Sequence, residues 1–436
     1  MFKKSGLVDI ALIFLYKCIL ALGFSYLVFP LYGGQVEIAQ TAVGGANGVK
    51  IFISYVVAGV CVLMFRSIRD NYKASRFVML IQLLMIVIPF SVLYGSLNYP
   101  AWQMGLMLLG YAGAVFFIKM LPAIRLRALN ARMCAALLFA MVAVVLYVYA
   151  SLVATGGLHR LNFNLVKVYE VRAQLSDNQF PLSGYFIPWV AYVFNMAALT
   201  NYMSIRNIYR KRALMGVIFV ISMQMLLFGM TNFKAFLFLP FVIIFLMLFM
   251  GKVNLFRSAA IGISAALACL VIISLVGVSF GAAIVDRLFV TPPALHALYF
   301  NYFSTHPLGL LQGTVGGAFG STYDESIIAV VSKFYWGRVF DPNVGWIGDA
   351  FANFGAFGVL IYSLILALTL RLADGFVDER TPNGVVEGLL FGFAFGITNS
   401  ALLTSLLTGG YIVAMASLWV MTSRWKRFHS PPIQAF

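Results

Sequence analysis

Charge is what this chain has least of. Asp, Glu, Lys and Arg make up 10% of its 436 residues, 62% are hydrophobic, and the mean hydropathy is +0.94. Soluble domains carry roughly a quarter charged residues, so a water-soluble globule is excluded at the outset. Cysteine is sparse too. Cys18, Cys61, Cys134 and Cys269 all fall inside apolar runs, which argues against disulfides and against a cysteine metal site. There is no Walker loop, no GxGxxG opening a helix, no HExxH and no DxD-type pair for a nucleotide-sugar donor. An enzyme built from this chain has to act on a membrane-borne substrate. The first apolar run is long and lacks a small-residue cleavage motif, so it reads as a signal anchor rather than a cleaved leader. No internal repeat is visible, which disfavours transporters made of duplicated halves.

What abounds instead is uncharged apolar sequence in runs of roughly 18–20 residues, the length that crosses ~30 Å of hydrocarbon as a helix. Without water to satisfy the backbone, each run must bond to itself, so helices are expected. Continuous rather than alternating apolarity argues against a barrel. The expected fold is an all-α polytopic transmembrane bundle of about twelve spans, forming a single integral membrane domain over 1–436. The spans fall near 9–29, 50–65, 77–97, 101–118, 133–154, 186–204, 213–230, 235–250, 258–281, 354–370, 386–401 and 409–422.

The formal net charge of +16 invites a nucleic-acid reading, but its distribution points to topology. With both termini inside, twenty-one cations fall on the inner side. The outer side has eight: Lys50, Arg160, Lys167, Arg172, Lys234, Arg287, Lys333 and Arg338. Lys17 is left within the first span. That is the positive-inside bias, and it sets the orientation. The excess charge is topogenic and touches anionic lipid headgroups, with no need of nucleic acid.

Two outer loops, 155–185 and 282–353, are longer than connection requires, and long loops tend to carry function. The first gathers His159, Arg160, Lys167, Glu170, Arg172 and Asp177. Its apolar spacing at Leu161, Leu165, Val168 and Val171 predicts a surface-lying amphipathic helix, whose plain alternative is a solvated helix with Lys167–Glu170 pairing. Lys234, in FGMTNFKAFLFLP, sits in a polar turn between two spans, where an ammonium either snorkels or meets an anion. In the second loop, Asp286–Arg287 reads as a surface ion pair of little worth. Pro292, Pro293 and Pro307 demand bends, and Tyr299 and Tyr302 stand among aromatics suited to an interfacial belt or to sugar stacking. His296 and His306 are more simply packed residues than catalysts. The stretch FDPNVGWIGDAFANFGAFG brings Arg338, Asp341, Asn343, Asp349 and Asn353 to the start of a span, with Asp349 and Asn353 one helical turn apart. Asp349 as a helix cap with packing glycines accounts for Gly355 and Gly358 but not for the polar cluster.

These residues resemble the Wzy-type O-antigen (oligosaccharide repeat-unit) polymerases of bacterial inner membranes. The basic turn at Lys234, the run from Arg287 to Pro307 and above all DPNVGWIGDAFANFGAFG carry the likeness, and the span layout extends it over nearly the whole chain. The resemblance implies a glycosyltransferase that moves a growing glycan from undecaprenyl diphosphate to an incoming lipid-linked repeat unit, at the periplasmic face of the cytoplasmic membrane. Arg172, Lys234, Arg287 and Arg338 would then hold the diphosphate. Asp341, Asp349 and His306 compete as the base for the acceptor hydroxyl. Tyr299, Tyr302, Trp346 and Asn343 would contact glycan. No metal or other cofactor is expected beyond undecaprenyl diphosphate as substrate carrier. The implied partners are membrane lipids, lipid-linked oligosaccharides and a polysaccharide chain-length regulator, not nucleic acid. An O-antigen ligase acting on lipid A core, and a non-enzymatic transporter or flippase, are the alternatives. The near absence of charge within the spans speaks against transport.

Overall fold

The computed structural model describes residues 4–164, 168–177, 180–249, 254–275, 280–312, 322–378 and 381–428. All regular structure among them is helical. Nine helices among the described residues are long and apolar enough to cross a membrane: Gly6–Tyr32, Gly48–Arg66, Lys73–Ser96, Ala101–Met120, Ala131–Ala154, Arg210–Thr231, Leu255–Ile273, Trp346–Phe376 and Leu402–Trp425. That is the architecture of a helical membrane protein. Their outward faces are apolar, with Phe52, Phe139 and Phe219 each well over half exposed, a surface suited to lipid rather than water.

Three expected spans meet the helix criterion without meeting the length or apolarity. Lys234–Phe249 and Val385–Gly396 are apolar but short. The stretch Ser183–Ser204 is helical throughout yet carries Asn195, Thr200 and Asn201. The 282–353 stretch is no plain loop either. It contains the helices Thr291–Phe303 and Ile327–Trp336, and all but one residue of the first is buried.

The chain divides into two units. The first comprises Met1–Pro122, Val253–Arg371 and Ala394–Thr404; the second comprises Ala123–Lys252, Leu372–Phe393 and Ser405–Phe436. In the first unit the Lys73–Ser96 helix forms the centre, and almost all of its span is buried. Gln82 ties this helix to its surroundings. Its amide nitrogen donates to Ala394 O at 2.8 Å, and its amide oxygen accepts from the Trp346 indole at 3.1 Å. Proline explains a recurring irregularity. The wide helical turns Phe24–Val28, Leu83–Val87 and Asp286–Val290 each end two residues before Pro30, Pro89 or Pro292. Proline cannot donate to the carbonyl four residues back, so the helix opens to a looser turn just ahead of it.

The second unit is held by a buried amide pair. Asn195 Nδ2 donates to Gln224 Oε1 at 2.7 Å and to the Tyr149 hydroxyl at 3.2 Å, and Tyr149 in turn donates to Met223 O. Polar side chains in apolar surroundings are costly unless each finds such a partner.

Candidate functional site

The Trp346–Phe376 helix is broken. Phe354 (φ −141°, ψ 18°) and Gly355 (φ 62°, ψ −153°) leave helical geometry, and the Gly355 conformation is one that side-chain-bearing residues avoid. Gly355 therefore serves to interrupt the helix rather than to pack it. Gly358 lies where an added Cβ would meet Ala350 O at 2.3 Å. A break frees backbone carbonyls, and here the Gly309–Leu311 segment supplies the donors. Gly309 N bonds to Ala352 O at 2.9 Å and Leu310 N to Asn353 O at 3.3 Å. Leu311 N bonds to the Asn353 side-chain oxygen at 2.7 Å. Interrupted membrane helices are tolerated where other protein satisfies them, and they often line sites.

Asp349 sits in the first turn of this helix. Its Oδ1 accepts from Asn353 Nδ2 at 3.0 Å, the one-turn pairing expected from their spacing. Its Oδ2 is buried, and the buried Tyr362 hydroxyl is a side-chain donor that faces the carboxylate. His296 is fully buried beside Gly345 and Gly348, where a Cβ would come within 2.7 Å and 3.3 Å of its ring. Its Nδ1 can only donate to Pro292 O, at 2.8 Å, so Nε2 carries the lone pair, enclosed and unpartnered. Burial pushes the His296 imidazole down to about 4, keeping it neutral.

His306 is partly exposed. Its ring stacks on Tyr302 with centroids 4.0 Å apart, and Nδ1 lies 2.9 Å from Tyr302 O and 3.0 Å from the Thr305 hydroxyl. Tyr299 and Trp346 are each 1% exposed, with no ring face open. The Tyr299 hydroxyl donates to Pro342 O at 3.0 Å, as the Trp346 indole does to Gln82. Tyr302 is buried under His306, Phe334 and Tyr335. Arg338, Asp341 and Asn343 are exposed, as is Arg287. The expected Asp286–Arg287 ion pair does not form. Asp286 turns inward, 3% exposed with Oδ1 unpartnered, while Arg287 points out. Burial, reinforced by nearby Glu37, pushes the Asp286 carboxyl up to about 6.

In the second unit the Arg210–Thr231 helix ends on Asn232, which is fully buried in the left-handed conformation (φ 54°). Its side chain donates to Asn162 O at 3.1 Å, and Asn162 N bonds to Gly229 O at 3.0 Å. These bonds, and an Asn162 side chain that accepts from Asn164 N at 2.8 Å, hold 161–164 in a turn. Of the amphipathic helix expected from Leu161, the described residues show Val168–Asp177 as helix and 161–164 as non-helical. Lys167 and Leu165 lie outside the described residues. Arg172, on that helix, donates from Nε to Asn232 O at 3.1 Å and lies over the Phe233 ring at 4.7 Å. The next residue, Lys234, is exposed. Arg160 donates to Thr155 O at 2.7 Å, while its Nε and Nη2 are buried with no partner.

Two predicted cations, Arg172 and Lys234, thus meet at one turn of the second unit. The other two, Arg287 and Arg338, belong to the first unit with Asp341, Asp349 and His306. Sequence reasoning passed over Tyr362, a lone tyrosine in an apolar run, because nothing local marks it. It also undervalued Arg160, whose signal, a cation in a stretch expected on the cation-poor side, was present. The chain matches no protein-family model, no curated protein and no solved structure.

Proposed function

We propose that this chain polymerises undecaprenyl-diphosphate-linked oligosaccharide repeat units at the periplasmic face of a bacterial inner membrane, building O-antigen or a related surface polysaccharide. In this reaction the acceptor hydroxyl attacks the anomeric carbon of the donor glycan. The bond to the diphosphate oxygen breaks, the lipid diphosphate departs with the electron pair, and a base takes the hydroxyl proton. Arg172 and Lys234 attract the diphosphate in the second unit, and Arg287 and Arg338 offer exposed charge in the first. A phosphoryl group that gains charge as it leaves is stabilised by such donors. Among the three candidate bases, His306 fits best. Its ring stacks at the edge of the aromatic cluster and is partly exposed, whereas Asp349 Oδ1 is committed to Asn353 in the broken helix.

The observation that carries this reading is the meeting of Arg172 with the Asn232–Lys234 turn, at the junction of the Arg210–Thr231 and Lys234–Phe249 helices. A cation pair is concentrated where the sequence otherwise withholds positive charge. The test supplies purified protein with a lipid-linked repeat unit and no lipid A core. A ladder of longer lipid-linked glycans is expected. Arg172→Ala should lower kcat/KM for extension about 10- to 100-fold, the loss of one charge-assisted contact of about 1.5–3 kcal/mol. Transfer only after lipid A core is added would replace polymerase by ligase; no transfer under either condition would leave the transport reading.

A further inference from the structure

Lys17 lies midway along the Gly6–Tyr32 helix and is 2% exposed. A lysine at such a position normally snorkels to the membrane surface or finds a carboxylate. This one does neither. Its ammonium donates inward to Ser91 Oγ at 2.8 Å and sits over the Tyr55 ring, 5.1 Å from the centroid. Ser91 passes its own hydrogen to Ile88 O, so it meets the lysine as a neutral acceptor. No carboxylate pairs with Lys17 among the described residues. An ammonium has three hydrogens to give, and one is accounted for.

Beside it runs a cavity of about 270 Å³. From Lys17 its wall continues along the same helix to Ser25 and Phe29, and along the facing Gly48–Arg66 helix from Tyr55 to Ile51. Twelve residues of helix, from Lys17 to Phe29, rise about 18 Å. The space is therefore a furrow that is long for its volume. Ser25 and Ile51 are exposed, so it opens sideways between two helices rather than closing over. Hydroxyls of Ser25 and Ser96 line it together with apolar side chains, while Ser54 gives its hydrogen to Ile51 O and the Tyr55 hydroxyl lies 3.0 Å from Cys18 Sγ. A furrow with one cation that no carboxylate pairs among the described residues, the Ser25 and Ser96 hydroxyls and an open apolar flank matches a ligand with an anionic head and hydrocarbon chains. The head fits within, and the chains stay in the surrounding bilayer.

We propose that this furrow binds the phosphate of a membrane lipid, with Lys17 as its charge partner. Phosphate supplies several acceptor oxygens for the ammonium and the hydroxyls at once, which a chloride ion or a water does not. The volume admits the phosphate and the first carbons attached to it but leaves no room for an oligosaccharide. The proposal does not depend on glycosyl transfer.

The test uses the purified full chain in detergent, with lipid binding followed by native mass spectrometry. Dioleoyl phosphatidylglycerol, undecaprenyl phosphate and phosphate-free dioleoylglycerol are each titrated. At least one phosphate lipid should bind tenfold or more tightly than dioleoylglycerol. Lys17→Met should remove that preference, and Lys17→Arg should keep it within about threefold. A tenfold preference for phosphatidylglycerol would assign the furrow to bilayer phospholipid and the reverse to the polyprenyl carrier; both uphold a phosphate site. Equal binding of dioleoylglycerol, or an unaltered preference in Lys17→Met, overturns the proposal. Should Lys17→Met not fold, Ala21→Phe decides. It fills the furrow while leaving the Lys17–Ser91 bond in place, and must abolish the preference.

Discussion

At the scale of single residues, the first unit buries ionisable groups whose titration acts on stability in opposite directions. Asp286 is raised to about 6 by burial, so the folded chain holds a proton there that the unfolded chain releases near 4. Its contribution is present at low pH and is lost as pH rises from about 4 to about 6. His296 is lowered to about 4, so the unfolded chain takes up its proton first. Its contribution is present above about 6.5 and is lost as pH falls toward 4. The two largely cancel in the native chain, and single substitutions separate them. Asp286→Asn should be more stable than the parent at pH 7 by about 1–2 kcal/mol, with the gain gone near pH 4. Thermal unfolding of both chains in detergent across pH 4–7 measures this, and a pH-independent difference would contradict the burial argument. The sequence shows both residues but suggests neither behaviour. Asp286 beside Arg287 reads as an ion pair until the helical turn through 286–290 sends one side chain inward and the other out.

At the scale of elements, the break in Trp346–Phe376 is the feature on which Asp349, Asn353 and the Gly309–Leu311 segment all depend. Its legibility was partial. The Asp349–Asn353 spacing predicted their shared face, and the glycines were visible, but Gly355 and Gly358 look alike in sequence and do different things. The φ of +62° with ψ of −153° at Gly355 is costly for any side chain, about 1–3 kcal/mol. Gly355→Ala should therefore lower thermal stability by that amount and slow any glycan extension. Gly262→Ala, in the Leu255–Leu275 helix with open space around it, should leave stability unchanged or raise it by up to about 1 kcal/mol. Equal effects of the two substitutions would mean that the break does no structural work. The turn at Asn232 follows the same logic. Thr231, Asn232 and Lys234 were recognisable as a polar junction, whereas its hold on Asn162, seventy residues away, was not.

At the scale of the whole molecule, hydropathy anticipated helices at all twelve places, while nine qualify by length and apolarity among the described residues. Whether the Ser183–Ser204 helix crosses decides the orientation of everything after it. With both termini inside and that helix crossing, Asn207, exposed just beyond it, lies on the inner side with Asn71, and Gly45 lies outside. Single cysteines introduced at these positions in a cysteine-free chain should be labelled by an impermeant reagent at Gly45→Cys alone in intact cells. Labelling of Asn207→Cys from outside would remove that helix from the list of spans and with it the placement of later turns.

The sequence by itself determined that this chain is helical, that it belongs in a membrane, and where its long apolar helices run. These properties depend on hydrophobicity and charge summed over neighbouring residues. The tertiary structure decided what became of the polar minority. It set Lys17 on Ser91, seventy-four residues away, joined Trp346 to Gln82 across 264 residues, and brought Arg172 to the turn before Lys234. In an apolar interior each polar group must find a partner or remain exposed at a cost. That partner is chosen by how distant helices pack, which no local pattern records.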